Sequence, residues 1–222
     1  MMPIMFFTNW ITKTRNHGIH KDVIYVGTAL IDMYVECGCI TKAQQVFDEL
    51  SVQDVSTWNV LISGYTENGH GQKALECFEK MKHQGVSPNA ITFVNTLRAC
   101  ASIRDNDKGE EIHAEIRDGR LLEKDILLGN ALVDMYAKCG FLAKAQQVLD
   151  GLLVRNIVSW STLIAGYTHQ GQGHNALDCF ERMQSEGFSP DLVTYIYAFK
   201  ACGIVGSIDK GKQIHDTVVC RG

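Results

Sequence analysis

The sequence predicts an all-α fold in which antiparallel helical hairpins stack into a solenoid. Internal duplication is the first observation behind this. Residues 24–120 laid on residues 126–222 without a gap give 42 identities in 97 positions, and "TALIDMYVECG" at 28–38 returns as "NALVDMYAKCG" at 130–140. A shorter period is the second. Each 102-residue unit divides again into segments that begin at Ile24, Val55 and Ala90, then at Ile126, Ile157 and Leu192, with lengths of 31, 35 and 36 and then 31, 35 and 31. Repeats of this size are one supersecondary element each, too thin to bury an apolar face alone, so they stack and share one core.

Helical spacing within the segments is the third observation. In residues 55–89, apolar Trp58, Leu61, Ile62 and Tyr65 fall on one helical face, and Gly69 and Gly71 are predicted to end that helix. A second helix carries Ala74, Leu75, Phe78 and Met81 and is closed by Gly85 and Pro88. The other segments follow the same plan at 24–54, 90–125, 126–156, 157–191 and 192–222, the last one truncated, while residues 1–23 read as the second helix of a preceding hairpin. Ala29, Leu30, Met33 and Tyr34, with Ala131, Leu132, Met135 and Tyr136, are expected to press against the second helix and the next repeat.

Composition narrows the function. No run of 18 uncharged apolar residues occurs, because Asp32, Asp134 and similar charges interrupt each apolar stretch, so no membrane partner is expected. The formal charge of −4 argues against non-specific attraction to phosphates and against DNA as a partner. Cys37, Cys77 and Cys100 recur as Cys139, Cys179 and Cys202 on the 102-residue beat, and no CxxC pair appears, so the cysteines read as small buried thiols rather than disulfides or metal ligands. No metal, no cofactor and no catalytic residue is expected, since the glycines punctuate helices rather than forming a phosphate loop.

"WNVLISGYTENGHGQKALECFEKMKHQGVSPN" and "WSTLIAGYTHQGQGHNALDCFERMQSEGFSPD" closely resemble the pentatricopeptide repeat family, over nearly the whole chain. The alternation of 31, 35 and 36 residues is similar to its plant PLS subclass, in which short (S), standard (P) and long (L) motifs alternate. "ALVDMYAKCG" resembles an S motif, and "GEEIHAEI" and "GKQIHDTV" resemble the second helix of L motifs. On this resemblance residues 1–23 close an L repeat, and S, P and L repeats follow in turn. Tetratricopeptide repeats differ in their W-x2-L-G-x2-Y opening, which is absent here.

The resemblance implies a right-handed α-solenoid (superhelix) that binds single-stranded RNA one base per repeat, read by a few side chains on its inner surface. The family's base-reading positions are the fifth residue of the first helix and the last residue of the motif. They map here onto Thr28 with Asp54, Asn59 with Asn89, Val94 with Asp125, Asn130 with Asn156, and Ser161 with Asp191, with Ile196 alone in the sixth motif. The second residue of each motif, which in the family wedges against the base, maps onto Tyr25, Ser56, Ile91, Leu127, Val158 and Val193, and Ser56 departs from the apolar pattern. Thr or Ser with Asp resembles a guanine reader, paired Asn favours pyrimidines, and Val94 and Ile196 cannot hydrogen-bond. The implied preference is 5'-G-(C/U)-N-(C/U)-G-N-3'. Asn and Asp at such positions also serve as helix caps, which is the competing explanation for them.

Members of the PLS subclass often carry a zinc-dependent cytidine deaminase marked by H-x-E and P-C-x-x-C. "HAE" at 113–115 matches the first half, but no P-C-x-x-C follows, and the second copy reads His215, Asp216, Thr217. His113 and His215 are therefore expected to be repeat residues at a helix junction. No E or DYW domain is recognisable. By resemblance the chain acts in a mitochondrion or chloroplast, as a specificity factor in RNA editing or processing, with a separate deaminase or editing-complex protein as a further partner. Lys13, Arg15 and Lys21 without an acid in the first 21 residues are compatible with a targeting segment, and equally with a repeat. A protein-interaction scaffold, favoured by the acidic balance, and a truncated remnant are the alternatives.

Overall fold

The computed structural model describes residues 20–123 and 125–219, so most of the segment 1–23 and Cys220 lie outside the described residues. Every element among the described residues is helical. They run as α1 (His20–Glu36), α2 (Ile40–Glu49), α3 (Val55–Glu67), α4 (Gly71–His83), α5 (Ala90–Ile103), α6 (Asn106–Asp118), a 3-10 turn (Leu121–Glu123), α7 (Ile126–Cys139), α8 (Leu142–Gly151), α9 (Ile157–His169), α10 (Gly173–Ser185), α11 (Leu192–Val205) and α12 (Ile208–Val219). Residues 20–23 belong to α1, and the rest of the segment read as closing an earlier hairpin lies outside the described residues.

The chain forms two compact units, residues 1–103 and 104–222. In the first unit α1, α3 and α5 lie side by side, while α2 and α4 each pack on their own partner helix and on the next one. In the second unit α7, α9 and α11 form the corresponding layer, and α8 and α10 pack in the same bridging way. The core of each unit sits between these two layers. Trp58, Leu61, Ile62 and Tyr65 of α3, and Ala74, Leu75, Phe78 and Met81 of α4, are all buried, as their spacing predicts.

The helix starts are set by caps. Asp54 accepts a hydrogen bond from the Thr57 backbone N–H at 2.9 Å, and Asp191 accepts one from Thr194 N–H at 2.8 Å. Asn156 and Ser159 form a reciprocal capping box at the start of α9. Each such cap satisfies a donor that the first helical turn cannot use internally.

Gly71 differs from its expected role. Gly69 turns the chain, with φ +77°, but Gly71 is the first residue of α4 and does not end α3. It is glycine because a Cβ there would stand 2.5 Å from Ser102 Oγ and 3.1 Å from the Ala99 carbonyl oxygen on α5. The two "ALxDMY" words also diverge. Leu132, Met135 and Tyr136 are buried, whereas Ala29 and Met33 are exposed and Leu30 is half-buried. Met135 packs into the space above Gly109, where a Cβ would meet its Sδ at 2.5 Å. The position matching Gly109 in the first copy, residue 7, lies outside the described residues.

Among the described residues the thiols are free but not uniformly buried. Cys77, Cys100, Cys179 and Cys202 are buried, Cys37 is exposed, and Cys39 and Cys139 are half-buried. Repeat register alone does not bury a residue near a hairpin turn. Burial pushes the Cys77 thiol up to about 11 and the Cys179 thiol up to about 12, which keeps both protonated and unreactive at neutral pH.

Candidate nucleic-acid interface

Each hairpin carries two kinds of side chain at fixed positions, near the start of α3, α5, α7, α9 and α11 and from the second turn onward in α1. One is apolar and exposed. Tyr25, Ile91, Leu127, Val158 and Val193 are each 50% to 73% exposed, one per hairpin at the second position, and Ser56 is the exposed polar exception. A single exposed apolar residue means little, but a set at one repeating position is a surface feature that the core does not explain.

The other is polar and paired. Asn59 Nδ2 donates to Asn89 Oδ1 at 3.2 Å, and Asn130 Nδ2 donates to Asn156 Oδ1 at 3.4 Å. Thr28 reaches Asp54 through an intermediary, its Oγ1 lying 3.1 Å from Thr57 Oγ1, which donates to Asp54 Oδ1 at 2.8 Å. The fold thus brings three of the sequence-predicted pairs together. Ser161 and Asp191 are not joined, because the Ser161 hydroxyl donates to the Val158 carbonyl at 3.2 Å and Asp191 caps α11. Val94 is half-buried, Asp125 caps α7 through the Leu127 N–H at 2.8 Å, and Ile196 is 45% exposed.

Capping and pairing are therefore not alternatives. Asn89 Oδ1 accepts the Thr92 N–H at 3.0 Å while it also accepts Asn59, and Asn156 Oδ1 serves Ser159 N–H at 2.9 Å in the same way. A carboxamide oxygen has two lone pairs and can do both. What sequence reasoning missed is the hydroxyl that joins each group. Thr92 Oγ1 donates to Asn59 Oδ1 at 2.7 Å, and Ser159 Oγ donates to Asn130 Oδ1 at 2.5 Å. The available signal was Asn or Asp followed three residues later by Ser or Thr, as at Asp54 and Thr57, Asn89 and Thr92, Asn156 and Ser159, and Asp191 and Thr194.

His113 lies elsewhere. It sits well inside α6, and His215 inside α12, so neither stands at a helix junction as expected. His113 Nδ1 is 2.9 Å from the Tyr136 hydroxyl, beside a cavity of about 520 Å³ lined also by Glu110, Arg117, Lys144 and Val148. No group of three or more His, Cys, Asp or Glu side chains suited to a metal ion occurs among the described residues. Burial, with Arg117 nearby, holds the His113 imidazole below its ordinary value of 6.5, and hydrogen bonds from Lys144 and Asn106 hold Glu110 below its ordinary 4.5.

These shifts set a pH dependence. Because the folded pKa of His113 is depressed, the unfolded chain takes up its proton first, and stability is lost as pH falls below about 6.5 and on through the lower folded value. Glu110 adds a further loss only at lower pH, as pH falls through its own depressed value. Thermal melts followed by circular dichroism should show a lower Tm at pH 5.5 than at 7.5, and His113→Gln should flatten that difference. An unchanged difference in the variant would remove His113 from the explanation.

The comparison with known families bears on the repeat positions directly. The PPR repeat family matches residues 53–102 and 155–203, and the PPR repeat matches residues 28–55 and 130–157, together well over half of the chain. The chain belongs to the PPR repeat family. Pentatricopeptide repeat-containing protein At2g33680 of Arabidopsis thaliana is 39% identical over 189 residues, covering 85% of this chain and 26% of that protein. Pentatricopeptide repeat-containing protein CRR2, chloroplastic, from the same plant is 37% identical over 197 residues, covering 88% of this chain and 30% of that protein. The chain spans between 23% and 42% of the length of such curated relatives.

Among solved structures, PPR10 in complex with an 18-nt psaJ RNA element superposes with a TM-score of 0.72 at 21% identity, over 92% of this chain and 31% of that one. PPR10 from maize gives 0.69 at 22% identity, over 97% and 34%. The all-helical fold of this PPR chain is thus that of a known PPR solenoid.

Proposed function

We propose that this PPR chain binds single-stranded RNA sequence-selectively, one base per hairpin, with the preference 5'-G-(C/U)-N-(C/U)-G-N-3'. The observation that carries the reading is the recurrence of an exposed second-position side chain, apolar in five of the six hairpins, and of a polar fifth-position side chain joined to the last residue of its motif in three of them. An exposed apolar group offers a base an edge or face to pack on, while the pair beside it presents hydrogen-bonding groups to the base's Watson–Crick edge. Thr28 with Asp54 and Ser161 with Asp191 suit guanine: a hydroxyl can meet ring N3 and a carboxylate accepts from the exocyclic amine. Asn59 with Asn89 and Asn130 with Asn156 suit the smaller pyrimidine ring. Val94 and Ile196 accept any base.

On the same reading the chain follows the PLS pattern, with S motifs at 24–54 and 126–156, P motifs at 55–89 and 157–191, and L motifs at 90–125 and from 192. It acts as a specificity factor for RNA editing or processing carried out by another protein, such as a deaminase, in a chloroplast or mitochondrion. The chloroplastic names of relatives such as CRR2 support the organellar part. The solved PPR10 complex supports RNA as the ligand class.

A net charge of −4 means that base contacts rather than phosphates must supply the affinity, so binding should be weak and only shallowly dependent on salt. Titrating the purified chain at low salt into labelled GCACGA, beside a control with both guanines and both cytosines exchanged, tests this. Tighter binding of GCACGA is expected. Equal affinity for the two would overturn the base-reading assignment, and a steep salt dependence would point to phosphate attraction instead.

A further inference from the structure

We propose that the hydroxyl at the third position of the following hairpin is a specificity-determining positioning residue, with Thr57, Thr92 and Ser159 setting how Thr28, Asn59 and Asn130 face their bases. This rests on the base-reading function above and names a component that none of the mapped base-reading positions includes.

Counting hydrogens gives the mechanism. A hydroxyl has one proton, and that of Thr92 goes to Asn59 Oδ1 at 2.7 Å, its closest acceptor. Asn89 Oδ1, 3.0 Å away, is already served by the Thr92 N–H and by Asn59 Nδ2. The Asn59 carboxamide is thereby held by both ends, oxygen towards Thr92 and nitrogen towards Asn89, and in this residue, only 7% exposed, the one Nδ2–H not so engaged is the donor left to meet a ligand. A donor suits the unprotonated ring N3 of cytosine and not the N3–H of uracil. If the Thr92 hydroxyl is removed, the amide is free to turn its oxygen outward and the discrimination weakens.

The same triad forms independently in the second unit. Ser159 Oγ donates to Asn130 Oδ1 at 2.5 Å, Ser159 N–H caps on Asn156 Oδ1 at 2.9 Å, and Asn130 Nδ2 reaches that same oxygen. In the Thr28 group the proton of Thr57 goes to Asp54, so Thr57 stands ready to accept from Thr28 and competes with the Ile24 carbonyl for the Thr28 proton.

The sequence carries a matching correlation. Polar Thr28, Asn59, Asn130 and Ser161 are followed in the next hairpin by third-position hydroxyls Thr57, Thr92, Ser159 and Thr194, whereas apolar Val94 is followed by Leu128. Ser161 lacks the bridge, its hydroxyl turned to Val158 and Thr194 committed to Asp191, so this reader should be the more permissive of the two guanine sites.

The test uses the full chain and four RNAs that differ only at the second base of GCACGA. The parent should prefer C over U there. Thr92→Val, nearly the same shape without the hydroxyl, should reduce that preference about fivefold, the loss of one hydrogen bond, and leave the preference at the fourth base intact. Thr92→Ser should restore it. Ser159→Ala puts the same question at the fourth base, should Thr92→Val fail to retain its helical circular dichroism.

If Asn59→Ala abolishes the second-base preference while folded Thr92→Val keeps it, the positioning role is wrong and base reading stands. Absence of any second-base preference in both the parent and Asn59→Ala would overturn the reading and this proposal together.

Discussion

Replacing Trp58 or Trp160 by Ala is expected to lower stability by about 3–5 kcal/mol, the range for deleting a large buried aromatic side chain. Both indoles are essentially fully buried at the same place in matching hairpins. Trp58 meets Phe47 edge-on with ring centroids 4.6 Å apart, and Arg182 lies 5.1 Å over the Trp160 ring. Neither indole N–H has a hydrogen-bond partner among the described residues, so the loss on truncation comes from packing and cavity formation rather than from a broken hydrogen bond. Phe at either site retains most of the ring contact and leaves the unpaired N–H out, so Trp58→Phe should cost much less than Trp58→Ala. Denaturant titration followed by circular dichroism measures both. Equal costs for Phe and Ala would mean that the ring contacts are not the source of the stability.

The second large effect is on specificity. The double substitution Asn130→Thr with Asn156→Asp should move the fourth base from pyrimidine to guanine, changing the ratio of the two affinities by about 10- to 100-fold, as one base contact worth about 1–3 kcal/mol allows. The first unit already holds the arrangement this change would reproduce. Thr28, Thr57 and Asp54 form a connected group around a third-position hydroxyl, and Ser159 occupies the corresponding place in the second unit. Asp caps a helix as well as Asn does, so the melting temperature should hardly move. Unchanged affinities for both RNAs would remove this motif from the recognition surface. Lost helicity would mean that Asn156 matters as a cap alone.

Much of the fold was legible because helical periodicity is local. Trp58, Leu61, Ile62 and Tyr65 announce their face within eight residues, and the structure buries all four. What misled were features decided by distant neighbours. Gly71 reads as a stop beside Gly69, yet its reason is Ser102 and Ala99 on another helix. Met33 and Met135 share one word, but Met135 is buried over Gly109 and Met33 is exposed.

The candidate site divides in the same way. The Asn and Asp residues stood out because their type and spacing recur. Thr92 and Ser159 did not, since a hydroxyl three residues after a cap looks fully occupied by capping. Their second contact lies 33 residues back for Thr92 and 29 for Ser159, beyond any local pattern.

Base reading by fixed positions is tested most directly by measuring the affinity of the intact chain for GCACGA and for RNAs carrying each of the other three bases at each of its six positions. The account predicts losses at positions one, two, four and five, a smaller loss with uracil than with either purine at two and four, and indifference at three and six, where Val94 and Ile196 stand. An affinity that falls equally at every position, or at none, would contradict it.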